Sequence, residues 1–268
     1  MKQKVQLRTP ISYYGGKQRL VSSILPLIPE HNLYCEPFLG GAAIFFSKEK
    51  SNVEVLNDTN RELINFYKVC QNRFHELQSL VRVTLHSREQ HDEAHIIYNK
   101  PHMFDEVRRA WAVWVLATQS FSSVVDGSWG MDRSKSTLPL KITNKKAEFT
   151  EELAIRLQNV QLECADALYV INSRDTVESF HYIDPPYHNA DMGHYDGYTA
   201  DDFEALLKLV STIKGKFLLS SYPSDLLTKY TSENNWHTIT IEQIVSAGPL
   251  KNRKKIEVLT ANYDLKTI

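Results

Sequence analysis

Apolar positions along the chain follow two rhythms. Short runs at 33–36 (LYCE) and 53–56 (VEVL) read as strands, and FLGGAAIFFSKEK between them reads as a glycine turn opening into a helix. Leu63, Ile64, Phe66, Tyr67 and Cys70 then recur at helical spacing behind Thr59-Asn60-Arg61-Glu62, which predicts a capping box at Thr59. Strand, helix, strand, helix is the rhythm of a parallel sheet. It stops from 71 to 159. There, 74–83, 88–99, 104–121 and 151–159 predict helices, with a polar Gly- and Ser-containing stretch and a basic segment, 133–146, before the last of them. The rhythm resumes at 160–163 and 180–184. Phe203, Leu206, Leu207, Val210 and Ile213 then share one helix face behind a cap at Thr199 and Asp202. A strand at 216–220 follows. The runs 237–244 and 255–263 alternate with no helix between them, which predicts an antiparallel pair. The expected fold is α/β, doubly wound and mostly parallel, with one antiparallel strand near its end.

Composition narrows this little. At 42% hydrophobic and 24% charged, the 268 residues have ordinary globular usage, which excludes a disordered chain. The longest apolar run, Ala110–Ala117, is far short of the roughly 20 residues that span a bilayer. The basic N-terminus lacks the apolar stretch of a secretory signal. Cys35, Cys70 and Cys164 are widely spaced, as in a reducing compartment. A cytoplasmic protein without membrane attachment is expected.

Charge distribution says more than the net charge of −1. Lys2, Lys4, Arg8, Lys17 and Arg19 lie in an acid-free segment, as do Arg133, Lys135, Lys141, Lys145 and Lys146, and residues 251–255 read KNRKK. Three segregated basic segments make one basic face if the fold gathers them, and three solvated loops if it does not. His86, His91 and His95 include an i, i+4 pair but no zinc-spaced carboxylate partner, so surface helix positions and no metal are expected.

Asp184-Pro185-Pro186-Tyr187 directly follows the apolar run His181-Tyr182-Ile183. A carboxylate and an aromatic ring therefore stand at the carboxyl end of a core strand, where open α/β sheets bind ligands. The two prolines stiffen the turn and leave their carbonyls free. Such a turn suits an exocyclic amine held by a carboxylate and a backbone carbonyl, with a flat ring stacked on the tyrosine.

Four motifs in order resemble the Dam-type DNA adenine-N6 methyltransferases of the alpha group. Tyr13-Tyr-Gly-Gly-Lys17 is similar to the N-terminal cofactor motif and Glu36-Pro-Phe-Leu-Gly-Gly41 to the first-strand glycine motif. Leu56-Asn-Asp-Thr-Asn60 is similar to the second-strand acidic motif and Asp184-Pro-Pro-Tyr187 to the catalytic motif. The resemblance covers both ends of the chain and leaves the middle third weakly matched. It implies a seven-stranded methyltransferase sheet built from 1–70 and 160–268, with a largely helical target-recognition domain inserted at 71–159. It also implies transfer of a methyl group from S-adenosyl-L-methionine to the N6 amine of a flipped-out adenine in duplex DNA, leaving S-adenosyl-L-homocysteine.

The resemblance assigns catalysis to Asp184, Pro185, Pro186 and Tyr187. It assigns the cofactor to Tyr13, Lys17, Glu36, Phe38, Gly40, Gly41, Asp58, Asp166 and Asp184, with Glu163 competing with Asp166. Physically, Gly40 and Gly41 permit close approach by a ligand, and Asp58 ends a strand where an acid accepts ribose hydroxyls. Ser120, Ser122, Arg133 and Lys135 in the polar loop, and Arg253 and Lys254 in the last basic segment, are candidate DNA contacts. Tyr195 and Tyr198 are candidates for the flipped-base pocket or for core packing. The Arg- and Asn-containing pattern associated with GATC reading is replaced by TQSFSSVVDGSWGMDRSK, which puts a GATC target in doubt.

Rival readings are a cytosine-N4 methyltransferase, whose relatives usually carry Ser in place of Asp184, and a catalytically silent DNA-binding relative. A nicotinamide dehydrogenase lacks support because EPFLGG is not GxGxxG. Expected partners are duplex DNA and, in a restriction–modification setting, a cognate endonuclease. A bacterial or phage-encoded monomer is expected.

Overall fold

The computed structural model describes residues 7–187, 198–244 and 254–265, without the side chains of 243–244 and 254–255. In chain order the helices are α1 (Val21–Ile24), α2 (Ala43–Ser47), α3 (Arg61–Asn72), α4 (Phe74–Val83), α5 (Arg88–Asn99) and α6 (Glu106–Gln119). They continue with α7 (Thr137–Glu148), α8 (Glu152–Leu157), α9 (Ala167–Ser173), α10 (Ala200–Val210) and α11 (Asp225–Asn234). The strands are β1 (Leu33–Glu36), β2 (Val53–Asn57), β3 (Gln161–Glu163), β4 (Ser179–Ile183), β5 (Lys216–Ser221), β6 (His237–Ile244) and β7 (Lys254–Ala261). They form a seven-stranded sheet in the order β3-β2-β1-β4-β5-β7-β6. Parallel pairing joins β2, β1, β4 and β5, while β7 runs antiparallel to β5 and β6.

The chain divides into two compact units. One comprises residues 26–38, 51–57 and 165–268 and contains every strand except β3. All five residues of β4 are buried, as in a central strand covered on both faces. Phe203, Leu206, Leu207 and Val210 on α10 pack with Ile183, Phe217 and Leu219 of the sheet. Each such side chain contributes roughly 1.5–3 kcal/mol on full burial. Thr199 and Asp202 form the expected capping box on α10.

The other unit comprises residues 1–25, 39–50 and 58–164 and is mainly helical. Its central element is α6, buried from Ala110 to Gln119. Arg109 on α6 forks onto both carboxylate oxygens of Glu62 on α3, at 2.8 and 2.6 Å. The cap of α3 is Asn60, whose side chain accepts from the amides of Glu62 and Leu63, rather than the capping box expected at Thr59. Glu62 is occupied by Arg109 and does not reach back to a cap.

Four helices escaped the sequence pattern, the four-residue α1 among them. α7 lies inside the basic segment and buries only Ile142; α9 is seven residues long; α11 buries only Leu227. Among the described residues no helix is long and apolar enough to cross a membrane. Cys35 and Cys70 are buried thiols and Cys164 is an exposed one.

Candidate active site and recognition loop

In a doubly wound sheet the strand order reverses at one point, and ligands bind beyond the carboxyl ends of the strands there. Here the reversal falls between β1 and β4, whose ends carry Glu36-Pro37-Phe38 and Asp184-Pro185. The turn after β4 is tied down by side chains from two further strands. The Tyr187 hydroxyl lies 3.1 Å from Asp184 Oδ1 and 3.2 Å from Ser220 Oγ on β5, and donates to Glu257 on β7. Ser220 Oγ itself donates to Glu257 Oε1 at 2.6 Å. The Tyr187 ring packs against Tyr222 with centroids 4.3 Å apart. Burial, and then the charges of Asp184 and Glu257, push the Tyr187 phenol well up from its ordinary value, so it stays protonated.

Two residues of this unit went unnoticed in the sequence. Glu257 is one. Its signal is a lone acid on the inward face of a strand that otherwise reads as apolar. Asn57 is the other, fully buried at the end of β2. Its Nδ2 donates to the carbonyls of Pro37 and Ala165 at 2.9 and 3.0 Å, and its Oδ1 accepts from the Ala165 amide at 2.9 Å. It fixes the loop after β1 against the segment that leads into α9.

The remaining candidates of this unit have definite surroundings. Glu36 is buried and accepts from the Tyr34 hydroxyl at 2.8 Å. Phe38 meets Tyr198 edge to face, with centroids 6.3 Å apart. The Tyr198 hydroxyl is buried without a hydrogen-bond partner among the described residues. Burial, then the charges of Asp202 and Asp166, push its phenol up. Asp166 is exposed and caps α9, its Oδ1 accepting from the Tyr169 amide at 3.0 Å.

In the helical unit, Tyr13 covers the glycine pair. A β-carbon at Gly40, whose φ is +47°, would stand 3.2 Å from the Tyr13 ring, and one at Gly41 would stand 3.0 Å from Tyr13 Cβ. The glycines are therefore required by the Tyr13 packing itself. Asp58 Oδ2 accepts from the Gly40 amide at 3.0 Å and its Oδ1 from the Asn60 amide at 2.9 Å. Burial raises its pKa, and those two amides oppose the rise. Tyr67 donates to the Gly40 carbonyl at 3.0 Å, and Lys17 is buried with Nζ 3.2 Å from the Gly15 carbonyl. A cavity of about 680 Å³ opens beside these residues, with Tyr13 and Gly41 on its lining together with Lys141, Asn144 and Lys145 of α7.

The polar loop after α6 is held by histidines. His91 Nε2 lies 2.8 Å from Ser120 Oγ, His95 Nε2 3.1 Å from the Gly127 carbonyl, and His86 Nε2 3.1 Å from the Gly130 carbonyl. His86 also stacks on Trp129, and the Arg88 guanidinium sits 4.6 Å from that ring's centre. The expected surface position of His91 is thus corrected: it is 1% exposed because it anchors Ser120, and burial depresses its pKa to about 4. Ser120 is buried in the same bond, whereas Ser122, Arg133 and Lys135 are exposed. Ser122 and Ser123 both take left-handed backbone (φ 56° and 59°), a strained conformation for serine, beside a Phe121 that is 70% exposed. Tyr195 and Arg253 lie outside the described residues, and Lys254 is described only as the first residue of β7. Among the described residues no three His, Cys, Asp or Glu side chains are grouped to hold a metal ion.

A doubly wound sheet with a single antiparallel strand near its edge, and an Asp-Pro-Pro-Tyr turn at its switch point, defines a methyltransferase-type fold. The chain belongs to the D12 class N6 adenine-specific DNA methyltransferase family, which it matches over residues 13–247. A type II methyltransferase of Lactococcus lactis subsp. cremoris, M1.LlaDCHI, is 26% identical over 98% of both chains. The DNA adenine methylase of Escherichia coli strain K12 is 23% identical over 96% of this chain and 95% of its own. The DNA N-6-adenine-methyltransferase of Escherichia phage P1 is 31% identical over 44% of this chain and 16% of its own. The protein is accordingly an adenine-specific DNA methyltransferase, and the family membership favours adenine N6 over cytosine N4 and over a silent DNA-binding relative. Methyltransferases of this family use S-adenosyl-L-methionine as methyl donor.

Proposed function

We propose that Asp184 and the Pro185 carbonyl receive the N6 amine of an adenine turned out of the duplex. The lone pair of that amine is delocalised into the ring, so the nitrogen is a weak nucleophile. Hydrogen bonds from its two hydrogens to a carboxylate and a carbonyl localise the pair and aim it, so positioning and electrostatics supply the catalysis. Turning the base out costs a few kcal/mol. Stacking on Tyr187 returns roughly 1–3 kcal/mol of this. The observation that carries the reading is the turn itself: an acid followed by two prolines, which stiffen it, at the carboxyl end of a fully buried strand.

S-adenosyl-L-methionine supplies, when bound, an electrophilic methyl group on a sulfonium. Its hydroxyls and ammonium are donors, and its carboxylate needs a cation. Asp58, Glu36, Asp166 and Asp184 offer acceptors, Lys17 a cation, Phe38 an aromatic face, and Tyr13, Gly40 and Gly41 a packed backbone turn. The Tyr198 hydroxyl, buried beside Phe38 and without a partner among the described residues, supports the fit. Tyr198 therefore serves the cofactor rather than the flipped base in this reading.

DNA contacts fall to the region 71–159, acting as the target-recognition part, and to the basic segments. Arg133 and Lys135 hold phosphates and Ser122 reaches the bases, with Tyr195, Arg253 and Lys254 contributing from the last third. Ser120 acts through its bond to His91. The reading is completed by a monomer that methylates one strand at a time in a bacterial or phage-infected cytoplasm, beside a cognate endonuclease; what supports the restriction–modification setting is the type II name of a full-length relative. The test is methyl transfer from labelled S-adenosyl-L-methionine to mixed-sequence duplex DNA, followed by nucleoside analysis. N6-methyladenine is expected, and label in N4-methylcytosine would overturn the role given to Asp184.

A further inference from the structure

Glu257 has no part in the reading above, yet it is 1% exposed. A carboxyl group is buried at a cost unless it is well bonded. Here two hydroxyls, Ser220 and Tyr187, converge on it from β5 and from the turn after β4. The same Tyr187 hydroxyl lies 3.1 Å from Asp184 Oδ1. A phenol has a single proton. Standing between two carboxyl groups, it donates to one of them, and its contact with the other is a hydrogen bond only when that carboxyl carries a proton. The array Asp184–Tyr187–Glu257 is therefore built to hold one proton at either end.

We infer that Glu257 is a positioning residue for Asp184 and the second proton site of the reaction, coupled to Asp184 through the Tyr187 hydroxyl. The inference rests on the role proposed for Asp184. After methyl transfer the amine nitrogen carries one proton too many. An N–H bond breaks and an O–H bond forms on the Asp184 carboxylate. Asp184 then passes a proton to the Tyr187 oxygen while the phenol's own proton moves to Glu257. Asp184 is ionised again, Tyr187 is neutral, and Glu257 holds the proton until it reaches solvent. The elevated pKa of Tyr187 keeps the bridge protonated throughout.

Other titratable groups face this array. Tyr182 on β4 feels the charges of Asp184, Glu36 and Glu257, and Tyr34 on β1 lies against Glu36. On β6 it is Ile241 that pairs with Glu257, and Glu242, across from Ile256, lies on the opposite, exposed face.

The test is single-turnover methylation against pH for the full chain and for Glu257→Gln, with Tyr187→Phe as a second variant. For Glu257→Gln the rate is expected to fall about tenfold to a hundredfold. Dissociation constants for duplex DNA and for S-adenosyl-L-homocysteine stay within about twofold, because no binding contact is removed. The acid limb of the profile moves to lower pH, since the like charge beside Asp184 is gone. Tyr187→Phe gives a similar loss, and the double variant is no slower than the slower single one. If Glu257→Gln does not fold, Tyr187→Phe alone decides, with the same rate loss expected and the acid limb moving to higher pH, because Asp184 loses a hydroxyl donor while the Glu257 charge remains. A wild-type rate with an unmoved limb overturns the inference, as does a rate loss matched by lost affinity. Asp184→Asn is the separate control: if it keeps full turnover, the role of Asp184 itself fails.

Discussion

The turn after β4 and the loop after α6 are both placed by hydrogen bonds that are at least partly buried, but of different kinds. Asp184 and Tyr187 are held by residues of β5 and β7, whose register is fixed by strand pairing: Ser220 pairs with Leu259 and Ile241 with Glu257. The loop from Ser120 to Gly130 is held by three histidine rings reaching a hydroxyl and two carbonyls. The first arrangement moves only if the sheet does. The second depends on side chains that titrate near neutral pH when free. In the proposed reading, chemistry that needs sub-ångström placement falls to the rigid elements, and recognition falls to a loop that can vary without disturbing them.

The sharpest way to break this comparison is Asp184→Ala. Methyl transfer is expected to fall by about a thousandfold or more, while DNA affinity changes by less than about threefold. A parallel loss of DNA binding, read by fluorescence anisotropy, would show that the turn recognises as well as reacts.

Asn57→Ala probes how rigid the sheet edge is. The Pro37 carbonyl and both backbone groups of Ala165 lose their partner, and each unpaired buried group costs roughly 1–3 kcal/mol. A stability loss of about 3 kcal/mol in urea unfolding is expected. A loss below about 1 kcal/mol would mean that water replaces the side chain.

The histidine-held loop is tested by pH. His91 and His181 are both depressed to about 4, chiefly by burial. An unfolded histidine titrates near ~6.5, so between these values the unfolded chain binds more protons and stability falls as pH falls. Above about 6.5 neither residue contributes a pH dependence. Each is expected to cost about 2 kcal/mol between pH 7 and pH 5. His91→Gln removes its share, leaving that of His181. An unchanged slope in the variant would detach His91 from the loop's stability.

Asp58→Ala has the smallest expected effect, about a tenfold weakening of S-adenosyl-L-homocysteine binding in calorimetry, or roughly 1.4 kcal/mol. Unchanged affinity would leave Asp58 as only the partner of the Gly40 and Asn60 amides.

Much of this was legible in the residues. β1, β2, β4 and β5, the capped α10 and the antiparallel end of the sheet follow from apolar runs and turn signals, because those segments bury whole faces. α1, α7, α9 and α11 were missed because a helix with one to three buried side chains leaves no periodic stripe. The motif glycines were visible, but not that Tyr13 is what crowds them. Glu257 and Asn57 acquire meaning only through partners 20 to 108 positions away. His91 reads as a surface residue until its bond to Ser120 is seen.

The Asp184–Tyr187 turn is proposed to receive the adenine amine. This is tested most directly by a crystal structure with S-adenosyl-L-homocysteine and a duplex carrying the mapped target. The predicted result is the target adenine outside the helix, its N6 within hydrogen-bond distance of the Asp184 carboxylate and the Pro185 carbonyl. An adenine still stacked in the duplex, or an N6 bound by other residues, would contradict the account.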